Sequence, residues 1–187
     1  MQTKSKKQSK SPLISKGKTN NNGERASELL QLFEEQLKDI LWAEKALTKA
    51  IPKMITLATS DDLIFVLTYH LHQTYEQINR LNEVFKTIDK KPSTVKCEGM
   101  KGLIDEAIEM MEGCKKGPGC DAGIIAAAQK IEHYEIASYG TLRQFAKTLG
   151  LKEAEMLLLK TLREEKTADQ KLTDVAMDEV NVEAASE

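Results

Sequence analysis

The sequence predicts an all-α fold: a four-helix bundle of two helical hairpins, with an extra short crossover helix between them. Three observations carry this. Alanine, leucine, glutamate and lysine dominate the 187 residues, against ten Gly and four Pro, a composition that favours helix. Apolar side chains recur at three- and four-residue intervals over four long stretches, and no sustained run alternates β-branched residues as a strand would. A hydrophobic content of 41% at this length supports one sizeable core, hence one domain flanked by tails.

Residues 1–25 hold six Lys and one Arg, with no acid before Glu24 and almost nothing that could be buried. They read as a disordered basic tail, either a solubilising extension or an electrostatic tether to nucleic acid by counterion release. The bundle is expected over 26–178, and 179–187 as a disordered acidic tail. Net charge is −2, so the folded part has no bulk electrostatic reason to seek nucleic acid. No apolar run approaches the roughly 20 residues that span a bilayer, so no membrane partner is expected. Three cysteines, Cys97, Cys114 and Cys120, are odd in number and lack Cys-x-x-Cys spacing. That predicts neither a zinc site nor a fully paired disulfide framework, and points to a reducing, cytoplasmic setting.

The first long helix is predicted over 26–58, where Leu30, Phe33, Leu37, Ile40, Leu41, Leu47, Ile51, Met54 and Ile55 form one stripe with Glu44 at its centre. Pro52 should bend it or break one turn. Thr59-Ser60-Asp61-Asp62 supplies a cap and favourable acids for the second helix, over 61–90. Its inward stripe reads Ile64, Leu67, Leu71, Thr74, Ile78, Leu81, Phe85 and Ile88. His70 lies on one shoulder of that stripe, Tyr75 borders the other, and His72 projects nearly opposite. His70 is therefore a ligand candidate or a core imidazole bonded to a neutral partner, and His72 a surface residue.

A shorter crossover helix follows over 98–114, with Met100, Leu103, Ile104, Ala107, Ile108 and Met111 free to pack, before Lys115-Lys116-Gly117-Pro118-Gly119 breaks it. Cys97, just upstream, reads as a small buried hydrophobe. The third long helix is expected over 121–149. One face of it carries Ile125, Ala128, Glu132, Glu135, Ile136, Tyr139 and Leu142, so two carboxylates lie inside an apolar stripe. Gly150 should cap it and permit a sharp reversal. The last helix, over 151–178, turns Leu158, Thr161, Leu162, Ala168, Leu172, Val175 and Ala176 inward, with Glu165 and Asp169 on the same face. Glu164 and Lys166 belong to a solvated one.

Carboxylates rarely enter a core uncompensated, because they lose their hydration; a metal ion, a proton or a basic partner must make it good. Each half of the bundle repeats one logic, a helix with a central acid and a helix with further ligand-type side chains. A pair of iron or manganese ions bridged by carboxylates asks for this arrangement. Glu44 and Glu132 would bridge or cap from facing helices, with Glu135, Glu165, Asp169 and His70 completing the shell. The competing account is a structural network pairing the acids with buried Lys or Arg, although the inward faces offer few basic residues.

At these residues the chain also resembles a known family. Asp39-Ile40-Leu41-Trp42-Ala43-Glu44-Lys45-Ala46-Leu47, His70-Leu71, Cys97-Glu98-Gly99-Met100-Lys101-Gly102-Leu103, Ala126 through Gly140 with its Glu132-His133-Tyr134-Glu135-Ile136-Ala137-Ser138-Tyr139-Gly140 string, and Glu164-Glu165-Lys166-Thr167-Ala168-Asp169 are similar to the YciE/YciF stress-associated branch of the ferritin-like superfamily. The resemblance covers about residues 28–177. It implies a ferritin-like bundle, a homodimer, and a part in bacterial stress responses. Members of that family carry Glu-Glu-Thr followed by Glu or His where this chain has His72-Gln73-Thr74-Tyr75. Acidic ligand candidates are thus replaced by neutral side chains, which implies a weakened or rearranged site keeping the carboxylates of the other three helices. Three functional classes follow: a dinuclear metal protein reacting with oxygen or peroxide, a metal-free dimeric structural or interaction protein, and a bundle that dimerises a nucleic-acid-binding tail.

Overall fold

The computed structural model describes the backbone of residues 21–186 and the side chains of residues 28–186. Six α-helices account for most of it: α1 (Asn21–Leu57), α2 (Asp61–Lys86), α3 (Glu98–Gly113), α4 (Pro118–Thr148), α5 (Lys152–Val175) and α6 (Asn181–Ala184). A π-helical turn, Ala176–Val180, joins α5 to α6. The two hairpins, α1 with α2 and α4 with α5, pack so that the order around the bundle is α1, α2, α5, α4, and α3 lies across α4 and α1. This is the predicted all-α, ferritin-like bundle with its crossover helix. Among the described residues no helix is long and apolar enough to cross a membrane.

The proposed basic tail lies outside the described residues except for its last five, which already belong to α1. At the other end, the chain stays helical beyond 178. Val180 is 1% exposed in the core, and Glu179 accepts a hydrogen bond from Ser60 Oγ at 3.2 Å, so the segment expected to be a free acidic tail is held by burial and by a contact to the α1–α2 turn.

Local chemistry fixes the hairpins. Ser60 caps α2, its hydroxyl accepting from Leu63 N at 3.2 Å, with Asp61 and Asp62 in the first turn. Asp121, in the first turn of α4 and 1% exposed, accepts from Thr59 N, Thr59 Oγ1 and Ser60 N at 3.0, 2.7 and 2.7 Å, stitching the two hairpins together. Gly150 closes α4 at φ 74°, a conformation glycine adopts without penalty, and Leu151 N reaches back to Ala146 O at 2.9 Å. α1 remains helical through Pro52.

Two expectations change. Cys114 and Cys120 form a disulfide, Cα atoms 5.5 Å apart, that ties the end of α3 to the first turn of α4. An odd cysteine count needs only one residue left over, and that is Cys97, free and buried; the turn through Gly117-Pro118-Gly119 brings the other two together. The argument for a reducing compartment falls with it. The inward stripe of α2 is also rotated from the expected one. Leu63, Val66, Leu67, His70, Thr74, Gln77, Arg80, Leu81, Val84 and Phe85 are buried, while Ile64, Leu71 and Ile78 are half-buried. The rotation moves His70 from the shoulder to the centre.

Candidate metal centre

Midway along the bundle, all four long helices turn a ligand-type side chain into the same dry space. α1 contributes Glu44, α2 His70, α4 Glu132 and Glu135, and α5 Glu165, none more than 4% exposed. Ligand atoms of His70, Glu132, Glu135 and Glu165 all lie within 4.8 Å of one another. His70 Nε2 stands 3.2 Å from Glu132 Oε1 and 3.9 Å from Glu165 Oε2, close but not aligned as a hydrogen bond. Glu44 abuts Glu135 from the α1 side, and Tyr139 donates its hydroxyl proton to Glu44 Oε1. Gln77 donates from Nε2 to Glu165 Oε1.

What remains unpartnered defines the site. Glu44 Oε2, Glu132 Oε2, both oxygens of Glu135, Glu165 Oε2 and both ring nitrogens of His70 are buried without a hydrogen bond. Native cores rarely leave so many acceptors idle in one place. Among the described residues no Lys or Arg bonds any of these four acids, so the structural ion-pair account does not fit the geometry. Arg80, buried on α2, is the nearest cation, but its guanidinium goes to Glu164 at 2.7 and 3.0 Å and to Thr161 Oγ1 at 2.5 Å.

Electrostatics follow from this burial. Loss of hydration, then mutual repulsion, pushes the Glu44, Glu132 and Glu135 carboxyls well above the ordinary range. Burial pushes Glu165 up to about 8 and the His70 imidazole down to about 4. Without a cation, burial thus favours the protonated over the ionised form of these acids, and the neutral imidazole. Hard carboxylate oxygens with one imidazole form a donor set that suits iron or manganese, so the residues present fit such ions.

A family model described as a domain of unknown function, DUF892, matches residues 28–185. The chain belongs to that family. It is 45% identical over 154 residues to protein YciF of Escherichia coli K12, covering 82% of this chain and 93% of that protein. The crystal structure of the E. coli stress protein YciF superposes with a TM-score of 0.79 at 44% identity, covering 82% and 97% of the two chains. YcfI from Rhodopseudomonas palustris gives 0.77 at 47% identity, covering 80% and 95%. At 19% identity, the Xanthomonas campestris protein XCC3681 shares the fold, with a TM-score of 0.65 over 88% and 97%.

Within this DUF892 chain, His70, Glu132, Glu135 and Glu165 come within mutual reach, Glu44 adjoins them at Glu135, and Asp169 stands outside this set though near enough for its charge to raise the pKa of Glu132. It lies at the bundle's rim, 3.3 Å from His133 Nε2 and from Gln129 Nε2. Four residues beyond Glu165, it stands about 6 Å further along α5 and 40° around it, enough to leave the cluster. Of the positions where this chain departs from the family pattern, His72 and Tyr75 are exposed on the outside of α2, and Gln73, half-buried, lines an outer groove with Tyr69 and residues of α5. Those replacements therefore do not touch the cluster, and the expectation of a site weakened by them loses its structural basis. Thr74 is buried, donating to His70 O at 3.1 Å. Glu164, expected on a solvated face, is the partner of Arg80.

Sequence reasoning missed Gln77 and Arg80. The signal was present: His70, Thr74, Gln77 and Leu81 follow one another at intervals of four, three and four, a complete helical stripe. The more apolar alternative through Ile64, Leu71 and Ile78 masked it.

Proposed function

We propose that the protein is a stress-associated ferritin-like metal carrier that binds two iron or manganese ions in the bundle core and reacts there with oxygen or peroxide. The observation that supports this best is the convergence of unpartnered carboxylate oxygens and one imidazole from four helices in a buried space. Glu132, Glu135, Glu165 and His70 would hold one ion, and Glu44, beside Glu135, would extend the set to a second. Bound in their reduced state, such ions supply the electrons that oxygen or peroxide takes up. The chain's own residues prepare the site. Tyr139 engages one oxygen of Glu44 and Gln77 one oxygen of Glu165, orienting each carboxylate while its second oxygen stays free. Arg80 stands close enough to draw down the pKa of Glu44 and Glu165 without bonding either. The stress role carried by the name of the E. coli relative accords with oxidant chemistry.

The test is metal content after purification without chelator, wild type beside Glu132→Ala, with circular dichroism to verify that both fold. Wild type should carry about two equivalents of iron or manganese and the variant far less. Wild type without either metal, and unable to take them up from solution, would favour the metal-free structural reading instead.

A further inference from the structure

On the outer side of the bundle, away from the carboxylates, α1 and α3 enclose a groove of about 430 Å³. Lys45, Lys49 and Lys53 of α1 form one edge and Lys101 of α3 the other, over a floor that includes Trp42 and Ile104. No acid lines it. Lys45, Lys49 and Lys53 are exposed, and among the described residues the ion-paired lysines are others, including Lys101 with Asp105. The groove continues past Lys53 and Ile108 into a second hollow of about 500 Å³ that ends near Lys116 and is lined by one acid, Glu112. In a chain of net charge −2 this concentration of unneutralised lysine is a local exception.

We infer that the α1–α3 groove is a docking site for an acidic amphipathic helix of a partner protein. The spacing carries the assignment. Lys45, Lys49 and Lys53 repeat every four residues, so their ammonium groups are staged about 6 Å apart over about 12 Å. A guest helix with acids four residues apart presents charge at the same pitch. Between the lysines, Ala46 and Ala50 leave α1 with a low surface on which another helix can lie close, and the apolar floor suits the guest's apolar face. A fatty-acid anion has one charged head and would use one lysine of the row. A nucleic-acid strand would gain nothing from a floor of alanine and isoleucine at the level of its phosphates.

Trp42 is the chain's only tryptophan, so its emission reports from this groove alone. The probe is a synthetic peptide of about four helical turns, with Glu at every fourth position and Leu and Ala between, titrated into the full-length protein. Saturable, blue-shifted Trp42 emission is expected. The double variant Lys45→Glu with Lys49→Glu should weaken binding about tenfold or more, as should raising salt from about 50 to 300 mM. Both lysines are exposed, so an unchanged melting curve will certify the variant's fold. The inference is overturned if the peptide does not bind, if the double variant binds it equally well, or if a scrambled peptide of the same composition matches it. Displacement of the peptide by laurate or by a short oligonucleotide at comparable concentration would likewise overturn it. None of these readings depends on metal in the core.

Discussion

Metal-free protein should lose stability as pH rises through neutrality, and the cluster sets the size of the loss. Folded, Glu165 keeps its proton up to about pH 8, whereas a glutamate at its ordinary value of 4.5 has long since ionised. Between those limits the folded state binds more protons than the unfolded one, so stability falls with increasing pH. Each retained proton contributes a slope of about 1.4 kcal/mol per pH unit. From about pH 6.5 to 7.5, Glu165 alone removes on the order of 1 kcal/mol, and Glu44, Glu132 and Glu135, pushed in the same direction, add to it. His70 works the other way, mostly at lower pH, and offsets about 0.3–0.4 kcal/mol of the loss between pH 6.5 and 7.5. Its folded value of about 4 against an ordinary 6.5 makes stability rise with pH between those two points, and by about pH 7.5 it is nearly neutral in both states. Thermal melts of chelator-treated protein at about pH 6.5 and 7.5, at one ionic strength, should show Tm falling by about 3 °C per retained proton in a domain of this size. Glu165→Gln, with no proton to retain, should remove one proton's share of that slope. Iron or manganese should abolish it, since a cation stabilises the ionised carboxylates. A metal-free Tm that is flat or climbs over this interval would refute the reasoning, because the acids would then be ionised or outside the core.

Two substitutions test the supports of the site. Tyr139→Phe removes the hydroxyl that donates to Glu44 and that holds its pKa down; urea melts should register a loss of about 1–2 kcal/mol. Asp121→Ala strips the acceptor shared by Thr59 N, Thr59 Oγ1 and Ser60 N at the junction of the hairpins. About 2–3 kcal/mol of stability should go, and amide exchange at Thr59 and Ser60 should accelerate, with Asp121→Asn recovering part of both.

The fold was legible because helical periodicity is a local property: Phe33, Leu37, Ile40 and Leu41, or Leu158 and Leu162, declare their face whatever packs on it. The acids on α1 and α4 were legible for the same reason, since a carboxylate inside an apolar stripe stands out. α2 was harder. Its inward face mixes His70, Thr74, Gln77 and Arg80 with Leu63, Val66, Leu67, Leu81, Val84 and Phe85, and maximising apolar character selects a neighbouring stripe about 60° away. Only the partners across the bundle, Glu165, Thr161 and Glu164 on α5, make that polar face the buried one, and no local pattern in α2 announces them. Asp169, outside the mutual cluster, shows a different limit of periodicity. Sharing a helical face with Glu165 says nothing about depth along the axis. The disulfide depended on the distance between two helix ends, which spacing of six residues permits without requiring.

Charge decides how the cluster is filled. Four buried carboxylates, if all ionised, carry −4, which two divalent cations neutralise and one does not. With a single ion, two of the acids must keep protons, and the contacts suit that state as well: Glu132 adjoins Glu165 and Glu44 adjoins Glu135, so each pair can share one proton between neighbouring oxygens. The empty, half-filled and filled states would then all be electrically neutral. Protonation would stand in for an absent cation, as burial of the carboxylates demands. Arg80 can therefore remain committed to Glu164 in every state. If the cluster takes up metal as proposed, exchanging two protons for one dication would leave the sum of charge in the interior unchanged, so loading would not by itself require a helix to move.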